Sequence, residues 1–197
     1  MDLEALLGWS ERLVNPPRLA SALPEPRQRR LAQLLQFTLS GSVNLYYGSE
    51  LGMAGGADPE NRAPMRWDLA RADNPELAWA ELLIGLRKQH RALRIGNFRL
   101  VEADRLLAFE RYTERPLETV VVLVNPTDAA ITEQVMIANA GLMDDTPMVD
   151  LLGPADAPPA GTVGAAFLTA TVPAEAALIL VPRERSLGGY TRYKRVG

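Results

Sequence analysis

The chain has 197 residues, 47% of them hydrophobic, and a net charge of −3. That balance excludes a disordered chain and a polyanion binder and leaves a globular protein of one or two domains. The sequence has no basic stripe of the kind nucleic acid requires and no apolar run near the ~20 residues that span a bilayer, so neither nucleic acid nor membrane is an expected partner.

The absence of cysteine rules out disulfides and thiolate chemistry, and no cofactor or metal site is expected. The amino terminus, MDLEALLGW, opens acidic and carries no cleavage-site pattern. It is not expected to be a signal peptide, and a cytoplasmic location is expected.

Leu3, Leu6, Leu7 and Leu13 fall loosely on one face and predict a short helix over 2–13. Pro16-Pro17 ends it, since two prolines cannot continue a helix and push the preceding residue extended. A stronger helix is predicted from Pro26 to about residue 40, with Leu31, Leu34, Leu35, Thr38 and Leu39 at helical spacing. Arg27, Arg29 and Arg30 are expected to form its solvated face with Glu25. Gly41 stops this helix. The run Val43-Asn44-Leu45-Tyr46-Tyr47, rich in β-formers and bounded by Gly41-Ser42 and Gly48-Ser49, predicts a buried strand.

Asn74-Pro75 is an N-cap followed by proline at the first helical position. The helix it opens is predicted to run to about Ala92 and to contain His90, the one histidine, in a structural role. Beyond Gly96 the hydrophobic period changes to two. Strands are predicted at 98–101, 106–112, 119–124, 131–137, 148–152, 166–172 and 177–181, separated by turn residues such as Asn125-Pro126 and Gly153-Pro154. Short strands at this spacing imply an all-β sandwich. The domain reading is therefore α+β, with a helical segment over 1–95, an antiparallel β-sandwich over 96–185 and a basic, aromatic tail over 186–197.

One stretch is more specific. GSVNLYYGSELGMAGGADPENRAPMRWD, Gly41 to Asp68, is a strand signal running into a long decorated loop. It closely resembles the end of the catalytic barrel in the α-amylase superfamily (glycoside hydrolase family 13), where the strand ends YYGxE and G-M and DPxxR-PM-W follow. The wording is most typical of the neopullulanase and cyclomaltodextrinase branches. The segment Leu86 to Phe98 is similar to the family's connection between barrel and sandwich. The resemblance implies that residues 1–95 are a remnant of the last βα units of a (β/α)8 barrel, followed by the family's antiparallel sandwich.

Retaining glycosidases need two carboxylates about 5–5.5 Å apart. In the family these end the fourth and fifth barrel strands, for which the sequence has no counterpart, so no catalytic residue is expected here. Setting Pro17-Arg18 on the family's seventh-strand motif puts Val14 and Asn15 where His and Asp belong. Those are degenerate catalytic positions, because Val cannot hydrogen-bond a hydroxyl and Asn carries no charge. The family's sugar-binding Asp and Arg of DPxxR fall on Asp58 and Arg62, with Tyr47 as a further candidate. A carboxylate and a guanidinium suit vicinal hydroxyls, but the two can equally brace the loop against each other.

Tyr46, Tyr47 and Trp67 are read first as buried packing with a satisfied polar tip, and sugar stacking is the alternative. Ser49 departs from the family's YYGDE. Glu50 is expected to accept from nearby backbone or arginine donors.

Two barrel strands at most cannot close a barrel. The resemblance therefore implies either a piece of a longer protein or a truncated remnant, and Val14 and Asn15 favour a remnant. Leu31, Leu34, Leu35, Val43 and Leu45 belong to surfaces an intact barrel would bury. That calls for a homodimer, a barrel-containing partner, or helices folded over the strand. Two functions stay open. One is the carboxyl-terminal part of an α-glucan-acting glycosidase or transglycosidase, non-catalytic as this chain. The other is a non-catalytic domain that binds maltooligosaccharide or stabilises an assembly.

Overall fold

The computed structural model describes residues 17–137 and 142–183. The expected helix at 2–13, the positions Val14 and Asn15, and the tail from 186 lie outside the described residues. Four α-helices precede the strands: α1 (Leu19–Ala22), α2 (Pro26–Thr38), α3 (Pro75–Gln89) and α4 (Arg91–Ile95). Eight strands follow: β1 (Asn97–Val101), β2 (Leu107–Tyr112), β3 (Val120–Asn125), β4 (Ile131–Met136), β5 (Pro147–Asp150), β6 (Gly161–Gly164), β7 (Phe167–Val172) and β8 (Ala176–Pro182). Among the described residues no helix is long and apolar enough to cross a membrane.

All strand pairings are antiparallel, in the order β1-β2-β3-β8-β5-β6-β7-β4. The period-two pattern sends alternate side chains to opposite faces. Val121 and Leu123 of β3 and Leu178 and Leu180 of β8 meet Ile131, Val135, Leu168 and Val172 of β4 and β7, so the sheet curls over its own apolar face. Val120, Val122, Val124 and Ile179 point the other way and pack against Leu31, Leu34 and Phe37 of α2, Leu83 and Leu86 of α3, and Leu93 of α4. β3 is therefore buried on both faces, with every residue of the strand out of solvent. The fold is α+β, with an all-β sandwich-like sheet and helices on one outer face.

Six of the eight strands begin and end within one residue of the sequence expectation, and β5 stops two residues short of it, at Asp150. β6 had no sequence signal. The helix expected over 75–92 breaks at His90, whose φ of −94° and ψ of 107° are extended, and resumes as α4. No strand forms at 43–47. The segment is irregular, Asn44, Tyr46 and Tyr47 are exposed, and it joins none of the sheet's ladders. A strand needs a partner for its backbone groups, and no other strand among the described residues runs beside this one.

Leu31, Leu34 and Leu35, expected on a surface in need of a cover, are buried in the chain's own core, with Val43 and Leu45 partly buried against it. Full burial of one such leucine is worth about 1.5–3 kcal/mol, enough to hold the helical layer on the sheet. The solvated arginine face of α2 also needs correction. Arg27 is exposed, but Arg29 is buried. Glu76, in the first turn of α3, draws in the guanidinium of Arg29 through Nε at 3.0 Å and that of Arg30 through Nη2 at 3.0 Å.

Candidate functional site

The loop between α2 and α3 is anchored at both ends. Arg87 of α3 donates from Nη1 to the Phe37 carbonyl at 2.6 Å, holding the end of α2 where unsatisfied carbonyls collect. At the far end Asn74 caps α3, its side chain accepting from the Glu76 amide at 2.9 Å and donating to the carbonyls of Leu51 and Leu69. Between them the chain folds tightly around buried Leu51 and Met53. Gly48 sits at φ 79°, and a Cβ there would collide with Met53 Sδ, so both the left-handed backbone and the close approach require glycine.

Arg62 ends a single 3₁₀ turn, Glu60–Arg62, and Asp58 stands two residues before that turn. Arg62 Nε lies 3.3 Å from Asp58 Oδ1, and the side chains are 71% and 41% exposed. The two groups the resemblance singles out are thus brought together at the surface. An exposed pair of this kind contributes at most ~1 kcal/mol, so it stays available for exchange with another polar group. The Tyr47 hydroxyl donates to the Ala63 carbonyl at 2.9 Å, which fixes the ring beside the same turn.

Tyr46, Tyr47 and Trp67 are all exposed rather than packed inside, Trp67 at 74%. Trp67 follows Arg66, whose guanidinium grips Asp68 through two contacts of 2.7 and 2.6 Å. That hydrogen-bonded grip holds the Asp68 carboxyl below its ordinary range. Of the Glu50 carboxylate, expected to accept from nearby donors, Oε2 is buried without a hydrogen-bond partner.

Arg18 is the residue that sequence reasoning used only as a marker. Its amide donates to the Gly55 carbonyl at 2.9 Å, and its Nη1 donates to the Tyr47 carbonyl at 2.6 Å. The guanidinium carbon stands 4.9 Å from the Tyr46 ring centre and 4.5 Å from that of Tyr47, a double cation–π stack. The rings are tilted at 53° with centres 4.7 Å apart. The Tyr46 phenol titrates above its ordinary value, first through partial loss of water and then through Tyr47, while the charges of Arg18 and Arg62 pull the other way. A cleft of about 460 Å³ opens beside this stack, lined by Arg18, Gln36, Asn44, Tyr46, Asn61 and Arg62 among others. Among the described residues no group of three or more His, Cys, Asp or Glu is placed to hold a metal ion.

No protein-family model matches the chain. It is similar to a cyclomaltodextrinase of a Bacillus species, 37% identical over 117 residues, which is 58% of this chain and 21% of that protein. It is also similar to neopullulanase 2 of Thermoactinomyces vulgaris, 41% identical over 85 residues, 42% of this chain and 14% of that one. The chain thus matches about a fifth or less of the length of these relatives.

The α-amylase of Geobacillus thermoleovorans, solved in complex with acarbose, superposes with a TM-score of 0.67 at 27% identity, covering 82% of this chain and 34% of that one. Loop wording, sheet and relatives agree: the chain resembles the carboxyl-terminal part of the α-amylase family, glycoside hydrolase family 13.

Proposed function

We propose that this chain serves α-glucan metabolism as the carboxyl-terminal part of a glycosidase or transglycosidase, non-catalytic by itself, contacting maltooligosaccharide through Asp58, Arg62 and Tyr47. The observation that carries the reading is the exposed Asp58–Arg62 pair at the 3₁₀ turn, beside Tyr47, in a chain whose relatives are named cyclomaltodextrinase and neopullulanase. One member accepts and the other donates in a planar fork, which matches neighbouring sugar hydroxyls. The non-catalytic half of the reading rests on the partner of Asp58. It faces a guanidinium, whereas retaining hydrolysis needs a second carboxylate about 5–5.5 Å away.

A second reading, a stand-alone domain that binds carbohydrate or stabilises an assembly, is favoured by the burial of Leu31, Leu34 and Leu35 within the chain itself. The helical layer already has a partner in the sheet.

Titration with maltotriose tests the site. The amides of Gly55 to Arg62 shift with an affinity of millimolar order, about −4 kcal/mol. Arg62→Lys weakens the effect, because one ammonium cannot reproduce the fork. A flat titration of the unsubstituted protein overturns the binding reading. The chain alone releases no sugar from starch, pullulan or cyclodextrin. A barrel-bearing partner chain that restores turnover favours the enzymatic reading over the stand-alone one.

A further inference from the structure

Arg18 is 3% exposed, and its Nε and Nη2 are buried with no hydrogen-bond partner. Among the described residues no ion pair joins it to a carboxylate within 4.0 Å, and the described lining of the adjoining cleft contains no Asp or Glu. A buried guanidinium left without a counter-charge is costly, and a folded protein normally pairs it or binds something that does. With Nη1 engaged by the Tyr47 carbonyl, the two unmatched donors, Nε and Nη2, are the pair on one edge of the planar group. That edge is the one that receives two oxygens of a carboxylate or phosphate side-on.

We propose that the cleft beside Arg18 is a binding site for a small oxyanion, a carboxylate or phosphate group held on the Nε–Nη2 edge of Arg18. Arg62, on the cleft wall and paired with Asp58, adds a second guanidinium, and Gln36, whose Nε2 donates to the Asn44 carbonyl at 2.6 Å, has a second amide hydrogen for an oxygen of the ligand. Tyr46, 46% exposed, stacks on the face of the same guanidinium and lines the cleft. The Nε–Nη2 edge belongs to Arg18 alone, and the cleft shares only Arg62 with the sugar reading.

The test follows the Arg18 Nε–H resonance during separate titrations with inorganic phosphate and with acetate, at constant ionic strength. A saturable shift of that resonance, accompanied by the Tyr46 ring signals, is expected with at least one of them. Phosphate alone identifies a phosphoryl ligand, acetate alone a carboxylate, and both together the shared edge.

Arg18→Lys keeps the charge and loses the edge, and is expected to abolish saturation in calorimetry. Because Arg18 also braces Tyr47, Gln36→Glu is the companion variant. Gln36 is exposed, and a carboxylate there repels an oxyanion while leaving Arg18 in place, weakening binding roughly tenfold. Titrations flat to about 50 mM, well beyond the millimolar range of a single fork, overturn the proposal. So does binding that persists unchanged in both variants. A positive maltotriose titration beside a flat phosphate and acetate pair removes the anion site alone, and the reverse result removes the sugar site alone.

Discussion

Arg111 of β2 donates from Nη1 to the carbonyl of Thr38, the last residue of α2, at 2.8 Å. From Nη2 and Nε the same group reaches the carbonyls of Gly96 and Asn97 at 2.9 and 3.3 Å. One buried side chain thus ties together the end of a helix, the joint before β1, and the sheet. Burial first, and the charge of Arg87 second, pull its pKa below the ordinary value. The protein accepts that electrostatic penalty to satisfy carbonyls that would otherwise be stranded.

Arg111→Met should therefore lower stability by about 3 kcal/mol, since carbonyls in contact with a charged donor lose it without replacement. Urea unfolding followed by circular dichroism measures the loss. A change below about 0.5 kcal/mol, the size of an ordinary surface substitution, would contradict the role.

Glu76 stands between two guanidiniums, at 3.0 Å from Arg29 Nε and 3.0 Å from Arg30 Nη2. Glu76→Gln removes the one negative charge of the trio and leaves Arg29 buried without it. A loss of about 3 kcal/mol is expected, in the range for breaking a buried pair from one side. Replacing Glu76 and Arg29 together by Met and Leu should cost less than Glu76→Gln alone. A double variant that is worse than the single one would show that the pair contributes net stability.

Asp150 gives a pH signature. Desolvation raises its pKa above the ordinary 3.8, and the hydrogen bonds from the amides of Leu152 and Ile179 only partly oppose this. An acid with a raised folded pKa burdens the fold at pH values above that pKa, and the burden lifts as pH falls through it towards the unfolded value. Asp150→Asn keeps an acceptor for both amides and never charges. The variant should match or exceed the parent in stability at pH 7, with the difference closing as pH approaches 3.8. Urea midpoints across that window decide the matter, and a variant that is less stable at pH 7 would refute it.

His90 lies in the break between α3 and α4, and burial lowers its pKa below 6.5. A base whose folded pKa is depressed supports the fold fully above 6.5 and loses that support as pH falls through the folded value. The ring carbon proton should titrate with a midpoint below 6.5 in NMR spectra, and a midpoint above it would remove the burial argument.

Most of the sheet was legible because its residues carry a local signal. Val120 to Val124 is an apolar run that only a doubly covered strand can use, and β7 alternates plainly. β6, Gly161-Thr162-Val163-Gly164, was missed because its ladder and not its residues makes it a strand: two glycines and one apolar side chain give no period. The opposite error occurred at 43–47, where the residue types are right and the partner strand is missing. Arg29 looked solvated because its partner, Glu76, lies 47 positions away, beyond any local pattern. The Asp58–Arg62 pair was readable only through the family wording of DPxxR. The Arg18 edge was not, since an unmet donor is a property of the surroundings.

Every residue of β3 is buried, and it holds ladders to β2 on one side and β8 on the other. Its amides have no local route to water, neither by fraying nor by the lifting of a loop. The exchange of Val121 to Leu123 with heavy water consequently runs at the pace of whole-molecule unfolding, which makes these three amides a built-in clock for the stability of the complete fold.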